Sequence, residues 1–348
     1  MTLQTFHQQA GAELAPDGIP LSFGDVMGEY QALATGALLF DRSHEGRLIV
    51  TRAGRLDLLN RLSTNQLLNL KTGEGRPTIF ITANGRIIDR VMIYALTDDQ
   101  LLLIAPPSRH EAVKQLIQRN IFYNDDVQIV DERAQTHQFA VHGIGATKRL
   151  TALLPDVANV PDYGVIVGEM AGHRVIAGKV KPMAGEGWQI IVQVADAIPV
   201  WEALKSAGAT PSGGIVYNAL RIRSGQPAVG TELTGDYIPL ELGLWDEISF
   251  NKGCYTGQEI IARMESRNKL AKMLVRLHPD QHIANGTQLF QNKKRVGQVT
   301  SGVIAPDGEV YMMGVVRTDV VQAGGALETE AGVSVMLGDI LGVQPTRT

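Results

Sequence analysis

Lys252-Gly253-Cys254-Tyr255-Thr256-Gly257-Gln258-Glu259 holds the single cysteine of a 348-residue chain, set between a glycine and residues that open a helix. Thr256 followed three positions later by Glu259 has the form of a capping box, in which hydroxyl and carboxylate satisfy the free amides of a first helical turn. Ile260, Ile261 and Met264 supply the apolar face of that helix, and Arg263 and Arg267 lie toward its far end, where cations suit the dipole. Cys254 is therefore expected just outside a helix N-terminus and near Lys252, a setting that favours a thiolate. The spacing leaves a second reading open, because an unpaired cysteine also packs as a small buried hydrophobe.

Around this segment the composition is that of an ordinary globular protein. The chain is 44% hydrophobic and 20% charged, enough for a large core divided into two or three domains. A net charge of −4 argues against a nucleic-acid protein that works through a broad basic face. Lys293-Lys294-Arg295 is a local basic run expected at a solvated hairpin tip. One cysteine excludes an internal disulfide, a cysteine-rich zinc site and an iron-sulfur cluster held by this chain alone. The eight histidines show no metal-ligand spacing, so no metal site is expected. Asp41, Ser43 and His44 bring triad residue types together in sequence, which is not triad geometry. No cationic leader precedes Arg42 and no apolar run reaches the ~18 residues of a membrane span. A cytoplasmic protein, or a mature organellar one, is expected, with no membrane partner.

Two stretches share one order of elements. In the first, 47–51 reads as strand, 56–62 as helix, then 78–83, 87–95 and 101–105 as strands. A helix over 109–121, capped by Ser108 with Glu111, and a strand over 127–130 complete it. The second runs strand 138–142, helix 147–154, strands 165–169, 173–180 and 189–194, and helix 198–207 ending before Gly208. From Leu270 short β-like runs separated by Gly, Pro, Asn and Asp predict a small all-β module. The fold class is thus α+β: duplicated antiparallel units over 1–132 and 133–268, which may exchange segments, and a barrel over 269–348.

The segment from Lys252 to Glu259, extended to Arg263, resembles the signature of the YgfZ group of folate-binding proteins, relatives of the T-protein of the glycine cleavage system. Lys252, Gly253, Cys254, the aromatic Tyr255, Gly257, Gln258, Glu259 and Arg263 match every specified position. Phe40 to Arg47, Leu59 to Asn65, Gly85 to Asp89 and Ile238 to Glu241 are similar to further family stretches. The resemblance implies three parts in a ring around a central folate cavity. It also implies tetrahydrofolate or a derivative as cofactor, and iron-sulfur assembly or client proteins as partners.

A pterin presents adjacent N–H donors that an ionised carboxylate meets with two charge-assisted hydrogen bonds. By resemblance Asp89 corresponds to the T-protein's catalytic aspartate and Glu241 to its folate-contacting glutamate. Tyr94 is either a folate contact or a core tyrosine, and Trp188, Tyr237 and Trp245 are further candidate stacking surfaces. Three departures from the T-protein weigh against aminomethyl transfer: Ala105 where T-proteins place an Asn, Gln258 where they carry a cation, and Arg223 where an acidic residue is common. The expected function is a tetrahydrofolate-binding accessory factor for iron-sulfur cluster assembly or repair, with Cys254 as the reactive group. The alternative is a folate-dependent aminomethyltransferase or related one-carbon enzyme.

Overall fold

A computed structural model describes residues 1–34, 36–267 and 270–342. Contacts divide the chain into two units, and the division is not linear. The first comprises Met1–Asn60, Gln66–Pro77 and Val91–Leu220, the second Arg61–Asn65, Thr78–Arg90 and Arg221–Thr348.

The first unit contains a six-stranded sheet in the order Val165–Met170, His173–Lys179, Glu186–Gln193, Thr136–Gly143, Ala37–Asp41 and Ala209–Pro211. All its neighbours are antiparallel except the last pair, which is parallel. Ala37–Asp41 precedes every element of the first stretch yet pairs with strands of the second. Helices Ala146–Thr151 and Ala197–Ser206 and the N-terminal helix Leu3–Gln9 contribute to one core with Trp188, Trp201, Phe139 and Val141. Fully burying a side chain of that size contributes roughly 1.5–3 kcal/mol. Gly208 ends the second of these helices at φ 94, a backbone that glycine adopts without strain.

A second sheet has the order Gly75–Ile81, Ile87–Thr97, Gln100–Ala105, Gly46–Thr51 and Gln128–Asp131. Its first two strands each begin in one unit and end in the other. Helix His110–Arg119 buries Val113 and Ile117, four apart on one face. The sequence expected Ser108 to cap it. Ser108 instead takes φ 62, and Arg109 stands at the cap without a side-chain bond to the helix's first amides. A left-handed backbone there turns the chain before the helix and removes the hydroxyl from the amides it was to satisfy.

The second unit carries a closed six-stranded barrel, in the order Lys272–Pro279, Val310–Arg317, Lys294–Ile304, Gln288–Gln291, Ala326–Thr329 and Ser334–Ile340. Val275, Leu277, Leu289, Val299, Met312, Val316, Leu327 and Val335 fill it. Closure leaves no unpaired strand edge. Asn292 and Lys293, at φ 52 and 62, form the two-residue turn of one hairpin, which places the basic run at an exposed tip as expected. A second apolar cluster of this unit joins Ile79, Ile81, Ile87, Tyr237, Leu240, Trp245, Tyr255 and Ile261 to Leu274, Met313 and Val315 of the barrel.

Candidate functional site

Cys254 is exposed, which settles the reading the sequence left open: the thiol is not packed as a hydrophobe. It rides on a loop that the segment Arg61–Asn65 grips along its length. The Ser249 amide donates to the Thr64 carbonyl at 3.0 Å, and the Thr256 amide to the Arg61 carbonyl at 3.3 Å. Between them Lys252 turns inward, its Nζ donating to the carbonyls of Ser63 at 2.8 Å and Asn65 at 2.7 Å. The same ammonium lies 4.9 Å from the Tyr255 ring centroid. Burial pushes Lys252 down to about 7 from its usual 10.5. Gly253 and Cys254 stand out between these anchors, with nothing within 4 Å of where a Gly253 Cβ would lie.

The helix opens at Gln258, and its first intrahelical bond runs from the Ile261 amide to the Gly257 carbonyl. Gly257, at φ 78, is therefore the cap, and Thr256 stands one residue too early for the expected capping box. A side chain at Gly257 would put its Cβ 2.5 Å from the Thr82 carbonyl oxygen, so closeness and backbone both demand glycine. Ile261 is buried, while Glu259 and Arg263 are exposed on the outer face.

Glu241 sits in the short 3-10 helix Pro239–Leu242 and is 5% exposed. Its Oε2 accepts from the Ile238 amide at 3.1 Å and lies 3.9 Å from Arg86 Nη1, while Oε1 has no hydrogen bond among the described residues. Burial raises its pKa, and the Ile238 amide, Lys272 and Arg86 pull it back. Arg86 and Lys272 both donate to the Asp236 carbonyl, at 2.8 and 2.9 Å, which gathers two cations near this carboxylate. Lys272 also lies 4.4 Å from the Tyr237 ring centroid, and the Tyr237 hydroxyl accepts from Gln298 at 2.8 Å.

Asp89, in the same unit, is 1% exposed, so a pterin reaches its carboxylate only if neighbouring side chains move. Tyr94, left open by the sequence between a folate contact and a core tyrosine, is fully buried. It lies in the core of the first unit with Leu96, Leu102, Ile104, Val165 and Ile191, and its hydroxyl donates to the Lys179 carbonyl at 3.0 Å. Cβ atoms at Gly75 and Gly178 would fall 2.5 and 2.6 Å from its ring, so glycine backbone lies close against the ring. Trp188 is likewise a core residue, its indole N–H donating to Thr147 Oγ1 at 3.0 Å. Ala105 is buried in its strand, against the position where a Gly46 side chain would lie.

Sequence reasoning missed the partly buried ion pair of Arg90 with Glu247. Arg90 Nε meets both Glu247 oxygens at 2.9 and 2.8 Å, and the Glu247 carbonyl accepts from Thr64 Oγ1 at 2.7 Å. Glu247 thereby joins the segment that grips the cysteine loop. A basic residue next to Asp89 in a strand was the available signal, since adjacent strand residues face opposite ways.

The antiparallel sheets and the closed barrel define a fold class that the comparisons with known proteins identify. The profile of the GCVT N-terminal domain matches residues 4–252, and the chain belongs to that family. A chloroplastic protein of Arabidopsis thaliana whose transferase label is provisional is 28% identical over 333 residues, covering 95% of this chain and 77% of that protein. An aminomethyltransferase of Halalkalibacterium halodurans is 28% identical over 310 residues, covering 86% of this chain and 84% of its own length. The crystal structure of glycine cleavage system aminomethyltransferase T from Bartonella henselae superposes with a TM-score of 0.84 at 22% identity, over 99% of this chain and 98% of that one, a likeness of fold.

Proposed function

We propose that the protein binds a reduced folate and acts as a YgfZ-type accessory factor in iron-sulfur cluster assembly or repair. The observation that carries this reading is the exposed Cys254 at the tip of a loop anchored on both sides. A thiol so placed ligates iron, or as thiolate attacks a partner's disulfide and releases its other sulfur as thiolate, without unfolding its surroundings. Among the described residues no group of three or more His, Cys, Asp or Glu is placed to hold a metal ion. An iron or cluster at Cys254 is then cargo whose remaining ligands come from an assembly or client protein. For the folate, Glu241 supports the fit through its bond-free Oε1, an acceptor suited to a pterin N–H; Asp89 is the second acceptor once uncovered. Among the described residues no helix is long and apolar enough to cross a membrane. We place the activity in the cytoplasm, or in an organelle as for the chloroplastic relative.

A second reading is folate-dependent aminomethyl transfer, and the names of the relatives favour it more directly. Against it stand Ala105, Gln258 and Arg223, which lack the polar groups that the T-protein pattern calls for. Calorimetric titration with tetrahydrofolate separates either reading from a scaffold: binding at micromolar ligand is expected, equally in wild type and Cys254→Ala. Complementation of a strain lacking its own factor is expected to be lost in Cys254→Ala. Full complementation by that variant, together with turnover of an aminomethylated carrier protein, overturns the accessory role and establishes the transferase.

A further inference from the structure

Within the first unit the two sheets do not close on each other along their whole length. They leave a cleft of about 180 Å³, lined among others by Ile49, Leu96, Leu102, Ile176 and Ile191. The strand registers explain its chemistry. Ile176 is directly opposite Ile191 in one sheet and Ile49 opposite Leu102 in the other, so each sheet offers an apolar cross-strand pair. Two residues along the same strands, on the same faces, come Arg174, Gln193 and Gln100, all of which line the cleft together with Glu132. The guanidinium of Arg174 and the carboxylate of Glu132 have no hydrogen-bond or ion-pair partner among the described residues, unlike nearby Arg47, whose donors are taken up by carbonyls and Thr136.

We propose that this cleft binds a free aliphatic α-amino acid. An apolar floor takes the side chain, Arg174 takes the carboxylate and Glu132 the ammonium, while Gln100 and Gln193 supply further polar contacts at the mouth. A cleft of this volume has room for a ligand of leucine size. Unpaired charges of both signs over a hydrophobic floor select a zwitterion with a carbon chain over a simple anion or a hydrocarbon. The site is separate from Cys254 and Glu241, which belong to the second unit.

Isothermal titration of the full chain with L-leucine tests this. Binding is expected with Kd near or below about 1 mM, weakened about tenfold or more when leucinamide or 4-methylvalerate replaces leucine. Arg174→Ala, an exposed substitution, is expected to weaken leucine by about tenfold at unchanged Tm. Ile176→Trp fills the cleft and abolishes binding. No heat with leucine at about 10 mM, or equal binding by wild type and Arg174→Ala, overturns the proposal. Folate titration of the same variants is expected to be unchanged, so a failure here is distinguishable from a failure of the folate reading.

Discussion

Two segments, Phe40–Arg47 in the first unit and Ser249–Gln258 in the second, are both rich in polar residues, yet they end in opposite states. In the first, almost every polar group is spent inside the protein. Asp41 meets His7 at 3.2 Å, Ser43 Oγ meets His137 Nδ1 at 2.8 Å, and Glu45 pairs with Arg42 at 2.7 Å. Arg47, 1% exposed, donates to Thr136 Oγ1 and to the carbonyls of Glu45, Ser43 and Thr136. Asp41, Ser43 and His44 thus form no triad: the Ser43 hydroxyl pairs with His137, and burial pushes His44 down to about 4. In the second segment the inward bonds stop at Lys252 and Thr256, and between them Tyr255 is buried while Gly253 and Cys254 face water. A saturated network fixes a fold; an anchored loop with a bare tip presents chemistry.

Arg47→Met breaks the comparison at its strongest point. Methionine fills similar space but leaves the Glu45, Ser43 and Thr136 carbonyls without their donor, and burial has already lowered the Arg47 pKa to about 10, a sign of how far it sits from water. Removing one member of such a buried charged network is expected to cost about 3–5 kcal/mol in urea unfolding, with the midpoint moved and the slope unchanged. A cost under about 1 kcal/mol contradicts a structural role for the first segment.

How far these states were legible in the sequence differs in the same way. Strand and helix periodicities gave the two sheets, Gly208 its helix stop and the Gly-punctuated end its barrel, because those signals are local. Tyr94 was readable either as ligand contact or as core, and what decides it is Gly75 and Gly178, residues 19 and 84 positions away in sequence that lend their bare backbones to its ring. The grip on the cysteine loop was equally hidden. It uses backbone carbonyls of Ser63 and Asn65, and a carbonyl carries no sequence signal. Ser108 and Thr256 misled for one reason: a left-handed residue, Ser108 itself or Gly257, shifted the cap.

Lys252→Met sharpens the contrast, since it cuts the inward anchor of the second segment while leaving the thiol. A buried carbonyl and a half-buried one lose a donor, an expected cost of about 1–3 kcal/mol. The pH dependence carries the sign. Lys252 titrates near 7 when folded and near 10.5 when unfolded, so between these values the unfolded chain holds the extra proton and stability rises with pH. Wild type is expected to gain stability from pH 7 to pH 9 relative to Lys252→Met, measured by urea midpoints at each pH. Parallel pH profiles for the two proteins refute the burial of this charge.

Cys254→Ser is the smallest change and tests the tip itself. The sulfur is exposed and its neighbour Gly253 faces open space, so replacing sulfur by oxygen removes no packing and leaves no cavity. Stability is expected to stay within about 0.5 kcal/mol of wild type. In the folded wild type an aromatic disulfide reagent is expected to consume one thiol per chain without denaturant, because the chain has a single cysteine and it lies on the surface. Denaturant then adds nothing to the yield. A thiol that reacts only after unfolding, or a serine variant that loses more than about 1 kcal/mol, makes the second segment a packed element like the first and removes the contrast on which a working Cys254 depends.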